Sequence, residues 1–178
     1  IPLVLLLVVC AGLAGLWWFL DSKDYNAPPK TESTVTAIHS ESSDALTSVT
    51  FVDKDGIELS FTKEEGYWYI TDDKEFPVNN TKVNEMFTPL ARLLSTRVLE
   101  EDNGEFGFDD PQTVLTLTFT GENGTTQYKY TVGDVNSFNG GTYLRDDLNG
   151  KYYICSTNPG EAFEVTKKDL FQVDAFAA

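Results

Sequence analysis

Histidine and cysteine are scarce in this chain, which has one His and two Cys among 178 residues. A serine or cysteine hydrolase needs a histidine beside its nucleophile, and His39 lies in a polar segment without regular patterning. Structural zinc sites need His and Cys clusters that the sequence does not contain. Cys10 lies in a long apolar run and Cys155 in the polar remainder, so we expect no disulfide and a buried, unreactive thiol at Cys155. We therefore expect a non-enzymatic protein without catalytic residue, metal or cofactor.

Basic residues are also scarce. The chain has 13 Lys and Arg against 28 Asp and Glu, for a formal net charge of −15. Surfaces that bind nucleic acid are basic because they neutralise phosphates, and segments that bind anionic lipid head groups are basic as well. The composition therefore argues against a nucleic-acid partner and against an anionic-lipid-binding surface.

Charge is absent from residues 1–20, which are mostly Leu, Val, Ala and Gly. A helix of 20 residues rises about 30 Å, which matches the hydrocarbon core of a bilayer. Trp17, Trp18 and Phe19 come at its end, where aromatic residues are enriched at membrane interfaces. We predict a transmembrane helix over residues 1–20, with these three residues at the interface.

Small residues in this segment indicate a second property of the predicted helix. They would let a neighbouring membrane helix approach closely, as small residues do in packed membrane helices. The residues concerned are Ala11, Gly12, Ala14 and Gly15.

Three other interpretations of residues 1–20 fit less well. A signal peptide has an apolar core of about 7–15 residues before a small-residue cleavage site, whereas this run is longer and ends in bulky aromatic residues. A lipoprotein needs a small residue before its cysteine, and Val9 precedes Cys10. A buried core helix normally keeps a polar stripe. We expect the N-terminus inside and the acidic remainder outside, because nothing in the remainder is typical of a cytosolic protein.

Residues 21–46 are rich in Ser, Thr, Asp and Glu and contain Pro28-Pro29. This composition predicts an extracytoplasmic tether. A short strand at Thr34–Ile38 and a linker are equally compatible with the sequence.

The pattern becomes regular from Thr47 onward. Apolar residues alternate with polar ones on both sides of the turn Asp53–Gly56, which predicts two half-buried strands; they are Val49, Phe51, Ile57, Leu59 and Phe61. A second turn at Glu64–Gly66 leads to a third strand at Tyr67–Ile70. Apolar residues at helical spacing then follow a cap at Asn79, with Pro89 expected to kink or break the helix; they are Val83, Met86, Phe87, Leu90, Leu93 and Leu94.

A similar order is predicted for the second half. Alternating residues predict strands at 114–119 and 128–132, then at 142–144 and 151–155 around the turn Asn149-Gly150. Gly160–Phe171 has helical spacing. We therefore predict an α+β domain over 47–174, built as an antiparallel sheet from two strand–strand–strand–helix units at about 47–99 and 112–174.

Several segments of this domain resemble one bacterial family. They are Gly66–Ile70, Leu93–Val98, Phe106-Gly107-Phe108-Asp109-Asp110-Pro111, Tyr130–Asp134 with its Val-Gly-Asp, and Gly141–Arg145. Their order over residues 47–172 resembles the family known as domain of unknown function 4340. The resemblance implies a protein with one N-terminal span that faces the outside and is often an accessory of ABC transporters, including those of gliding motility.

Acidic and aromatic residues suggest two weaker sites. Asp53-Lys54-Asp55-Gly56 lacks the third acidic position and the spacing of a calcium loop, so a hairpin turn is favoured. Asp109-Asp110 and Asp146-Asp147 would hold an ion only if folding joined them. Tyr67 and Tyr69 lie on one face of their strand and Trp68 on the other, which favours core packing of Trp68.

The expected function follows from the anchor, the domain and the resemblance. We expect a non-enzymatic, membrane-anchored subunit or accessory protein of a bacterial ABC-type transporter in the cytoplasmic membrane, contacting the bilayer, a permease and an ATPase. The alternative is an anchored module that binds a cell-envelope glycan or peptide. For either, the candidate ligand or partner surface consists of Tyr67, Tyr69, Tyr143 and Arg145.

Overall fold

The structure, a computed structural model, describes residues 35–102, 104–122 and 124–172. These residues form an antiparallel sheet of nine strands with one α-helix, α1 (Asn80–Phe87). The strands are β1 (Thr36–Ser40), β2 (Leu46–Val52), β3 (Glu58–Glu64), β4 (Tyr67–Ile70), β5 (Arg92–Leu99), β6 (Thr113–Gly121), β7 (Gly124–Val135), β8 (Thr142–Asp146) and β9 (Lys151–Cys155). Four short 3-10 helices span Ser43–Ala45, Thr88–Ala91, Glu161–Phe163 and Lys167–Leu170. The predicted α+β class with an antiparallel sheet is confirmed.

The two halves of the domain share this sheet, whose strand order is β1-β5-β9-β8-β7-β6-β2-β3-β4. Strand β2 of the first half pairs with β6 of the second, and β5 pairs with β9. The two predicted units are therefore interleaved by strand pairing and do not form separate sheets.

One face of the sheet, called the inner face below, carries the hydrophobic core. Successive side chains of a strand point to opposite faces, so buried residues alternate with outward ones along β6 and, from Val49 onward, along β2, as at Phe51 and Leu117. Helix α1 packs on this face through Phe87, whose ring centroid lies 5.4 Å from that of Phe61 and 4.9 Å from that of Trp68. The predicted core position of Trp68 is confirmed.

Helix α1 begins as predicted and ends early. The side chain of Asn79 accepts a hydrogen bond from the Lys82 N–H at 3.1 Å, which caps the first turn. The helix stops at Phe87 and a 3-10 turn containing Pro89 follows, so the predicted break is confirmed. The predicted continuation to Leu94 is wrong, because Pro89 interrupts the helical hydrogen bonding and β5 begins at Arg92.

The predicted final helix at Gly160–Phe171 is also wrong. Two separate 3-10 turns occupy this segment. Thr166 between them is extended, and its N–H and hydroxyl donate to the Asp169 carboxylate at 2.7 and 2.8 Å. This capping box starts a new turn and prevents one continuous helix.

Part of the segment 21–46 belongs to the sheet, which agrees with the alternative of a short strand at Thr34–Ile38. Strand β1 (Thr36–Ser40) pairs with β5, so the chain enters the sheet before residue 46, with His39 buried. The predicted span 1–20, with its interface and small-residue positions, lies outside the residues that the structure describes. Within the described residues, no helix combines the length and the apolar character that crossing a membrane requires.

Candidate functional site

The four predicted surface residues share the face of the sheet opposite the core, called the outer face below. Strand register places Tyr69 opposite Thr62 and Arg145 opposite Thr131, both on this face. Four strands separate β4 from β8, however. The structure therefore brings Tyr67 together with Tyr69, and Tyr143 with Arg145, as two separate pairs.

The first pair lies at the β4 edge in an open region of the outer face. Tyr67 is 60% exposed and Tyr69 is half-buried. Both rings are held on a strand whose other face is fixed by the buried Trp68. This region therefore offers aromatic surface on a rigid support.

The open region continues across five strands as two rows of side chains, called the hydroxyl rungs below. Each rung follows residues that are paired across neighbouring strands. One rung consists of Gln127, Thr118, Ser48, Thr62 and Tyr69, and the other of Lys129, Thr116, Thr50, Ser60 and Thr71. These rungs were not predicted from the sequence, although Ser or Thr at every second strand position was their signal.

The edge of β4 is closed to further strand pairing at Trp68. The side-chain amide of Asn80 accepts from the Trp68 N–H and donates to the Trp68 carbonyl, the second contact being 3.3 Å long. An exposed strand edge otherwise invites pairing with another chain. The surface that remains open at Tyr67 and Tyr69 is therefore the face of the sheet.

The second pair, Tyr143 and Arg145, is engaged in internal contacts under the loop that precedes β6. Phe106 stacks on Tyr143 with ring centroids 4.3 Å apart. The Arg145 Nε donates to Asp147 at 2.7 Å, and its guanidinium lies 5.3 Å from the Phe108 ring centroid. These contacts give both side chains a packing role.

The segments most specific to the family resemblance meet at this loop. The Asp134 N–H donates to the Phe106 carbonyl at 2.8 Å. A Cβ atom at Gly133 would lie 2.0 Å from that carbonyl oxygen, and one at Gly107, whose φ is +78°, would lie 2.5 Å from the Asp134 carboxyl carbon. Only glycine permits this approach, so the two segments together fasten the loop to the sheet. We call this contact the loop clasp.

His39, which was predicted to lie in the tether, takes part in a buried polar network. It is 5% exposed, and its Nε2 lies 2.7 Å from the Leu90 carbonyl oxygen. Since a carbonyl only accepts, Nε2 is assigned the proton, and Nδ1 accepts from the Tyr130 hydroxyl at 2.7 Å. Burial lowers the pKa of His39 below its usual value of 6.5.

Two tyrosines complete the surroundings of His39. Tyr128 stacks on its ring with centroids 4.4 Å apart, and the Tyr128 hydroxyl donates to Glu41 at 2.7 Å. Burial, together with this carboxylate, raises the pKa of Tyr128 to about 12. Burial also raises the pKa of Tyr130. Since three strands separate β1 from β7 in the sheet, these contacts show that the sheet curls around its core.

The acidic segments have structural partners in this fold. The Asp53 carboxylate accepts from the N–H groups of Asp55 and Ile57 at 2.9 and 2.8 Å, which confirms the predicted hairpin turn. Asp146 accepts from the N–H groups of the β8–β9 turn. Among the residues that the structure describes, no group of three His, Cys, Asp or Glu side chains could hold a metal ion. The predicted burial of Cys155 is confirmed.

Comparison with known proteins identifies a family. The profile of the family described as Domain of unknown function (DUF4340) matches residues 68–178, which include the loop clasp and most of the sheet. No curated protein and no solved structure matches the chain.

Proposed function

The chain belongs to the DUF4340 family, and we propose that it is a non-enzymatic, membrane-anchored extracytoplasmic subunit or accessory protein of an ABC-type transporter complex. The observation that carries the proposal is the change in the sequence after residue 20. An uncharged apolar segment of membrane-spanning length precedes a chain whose formal net charge is −15. This order is typical of a domain held at a membrane surface.

The polar contacts of the domain support a binding role over a chemical one. Gly107, Gly133 and Asp134 fasten a loop to the sheet, and the Arg145 guanidinium is paired with Asp147. His39 holds β1 to the core. These groups maintain the fold, while the hydroxyl rungs remain open on the outer face.

The anchor is proposed to join the complex within the bilayer. Gly12 and Gly15, with the adjacent Ala11 and Ala14, would face a permease helix, because small side chains allow close backbone approach. Trp17, Trp18 and Phe19 would lie at the outer interface. The acidic domain would then stand on the outside of the cytoplasmic membrane.

Affinity purification of the full chain from its native membranes in mild detergent tests the proposed complex. We expect a permease and an ATPase among the co-purifying chains, identified by mass spectrometry. Gly12→Ile and Gly15→Ile should reduce their recovery while the protein stays in the membrane fraction, and Leu13→Ile is the matched control. Recovery of the full chain without either partner would contradict the proposal.

The proposed orientation has a separate test. Protease added to intact spheroplasts should digest the domain and leave a cytosolic marker protein intact. Protection of the domain until the cells are lysed would place it inside and would contradict the extracytoplasmic assignment.

A further inference from the structure

The hydroxyl rungs differ from the rest of the surface in charge. The chain contains 28 Asp and Glu residues, yet none of them lies in either rung. The single charged side chain of the rungs is Lys129, at the β7 end. Glu64 lies opposite Tyr67 on the same face and is paired with Lys74. A strip with so few charges on a strongly acidic protein fits a ligand without formal charge, because a charged ligand would find little to pair with there.

Hydroxyl groups dominate the rungs. Eight of the ten side chains carry one, and the others are Gln127 and Lys129. A hydroxyl both donates and accepts hydrogen bonds. A row of hydroxyls therefore matches a ligand whose own groups also donate and accept hydrogen bonds. Neighbouring strands lie about 4.8 Å apart, which repeats these groups at regular intervals across the sheet.

Cross-strand contacts hold four of these hydroxyls in place. Thr50 and Ser60 lie 2.9 Å apart between their side-chain oxygens, and Thr62 and Thr71 lie 3.0 Å apart. Each such pair uses one proton and leaves acceptor and donor capacity that the pair itself does not use. Side chains ordered in this way lose little freedom when a ligand binds.

Aromatic rings border the rungs on the β4 side. Tyr69 belongs to one rung, and Tyr67, two residues earlier on the same face, is 60% exposed. Aromatic rings carry a large apolar surface at low cost in conformational entropy. The apolar face of a sugar ring can pack on such a surface while its hydroxyls bond to neighbouring groups.

We propose that the hydroxyl rungs, together with Tyr67, form a binding site for a neutral polysaccharide chain. A protein partner is less well matched, since protein interfaces centre on buried apolar, aromatic or Arg anchors, and Thr and Ser fill the middle of this surface. The site extends beyond the proposed function and does not depend on the transporter complex.

Native affinity electrophoresis of the full chain in detergent tests the site. The gels contain a neutral soluble polysaccharide: hydroxyethylcellulose, laminarin or galactomannan. We expect at least one of them to retard the protein, and alginate, which is anionic, to have no effect. Tyr67→Ala should weaken the retarding interaction about tenfold, in line with the loss of one aromatic contact.

Two further variants distinguish a loss of binding from a loss of the folded state. Thr62→Val keeps the shape of the side chain and removes its hydroxyl, so it should weaken binding about fivefold. Phe138→Ala removes an aromatic ring that is 98% exposed in the β7–β8 loop and should leave binding unchanged. Thermal unfolding of each variant checks its fold.

Specific outcomes would overturn the site. Absence of retardation in all three neutral gels would do so. Equal retardation of the wild type, Tyr67→Ala and Thr62→Val would do so as well. Binding to alginate alone would assign the face to another ligand class. Loss of a co-purifying permease or ATPase in Tyr67→Ala, with no polysaccharide binding, would show a protein-docking face and would leave the proposed complex intact.

Discussion

Leu117 and Thr116 are neighbours on β6, yet Leu117 has no exposed surface and Thr116 is half-buried. The same alternation runs along β2 and β3, where apolar side chains enter the core and Ser or Thr faces outward. The inner face is closed by α1 and the C-terminal turns, and the outer face is covered by the loop clasp over only part of its width. The strands thus supply stability from one face and leave the other for contact.

The aromatic centre of the inner face should show the largest effect of any single change. Phe87→Ala removes a ring that contacts Phe51, Phe61, Trp68 and Phe163. We expect the free energy of unfolding to fall by about 3–5 kcal/mol, because a large cavity remains. Chemical denaturation monitored by circular dichroism measures this loss.

Phe138→Ala is the control for this prediction, because it deletes the same atoms from a side chain that is 98% exposed. Its unfolding free energy should stay within about 0.5 kcal/mol of the wild type. Similar losses in the two variants would contradict the assignment of stability to the inner face.

A substitution in the part of the outer face that the loop clasp covers should lower the free energy of unfolding less than Phe87→Ala does. Gly133→Ala would place a Cβ atom 2.0 Å from the Phe106 carbonyl oxygen, so the loop clasp must move. We expect a loss of about 1–3 kcal/mol, as in other overpacked sites, together with faster hydrogen exchange in residues 106–110. Gly121→Ala, which meets no atom within 4 Å, is the matched control. An unchanged exchange rate in Gly133→Ala would show that the clasp does not hold the loop.

The free energy of unfolding should depend on pH through His39, at the edge of the inner face. Its folded pKa lies below the usual 6.5, so the unfolded chain binds a proton first as the pH falls. The contribution to stability is complete above pH 6.5 and decreases below it, at a limiting slope of about 1.4 kcal/mol per pH unit.

Unfolding curves between pH 7.5 and 5 measure this slope, and His39→Gln should flatten it. The charged and titratable neighbours are Glu41, Asp146, Tyr128 and Tyr130, and both tyrosines stay neutral in this range. An equally steep slope in His39→Gln would assign the pH dependence to other groups.

Local patterns were sufficient to predict much of the sheet. Alternating residues predicted the strands around Phe51, Phe61 and Leu117, and the Asp-Gly and Asn-Gly pairs predicted their turns. Strand β5 was missed because the apolar positions of Leu90 and Leu93 also fit a helix, and only the break at Pro89 separates the two interpretations.

The site depended on contacts that sequence patterns do not specify. Tyr67 and Tyr69 could be placed on one strand face, but the rungs require β2 to pair with β6, far along the chain. His39 and Tyr130 are 91 residues apart, so the burial of the only histidine depends on the curl of the whole sheet. Such pairings follow from global packing, which local propensity does not encode.

The division between the two faces can be measured most directly on adjacent residues of β6. Leu117→Ala and Thr116→Ala are compared by their free energies of unfolding under the same conditions. We expect a loss of about 2–5 kcal/mol for Leu117→Ala and of about 1 kcal/mol or less for Thr116→Ala. Equal losses, or a larger loss at Thr116, would show that the outer face also holds the fold together and would contradict its availability for a ligand.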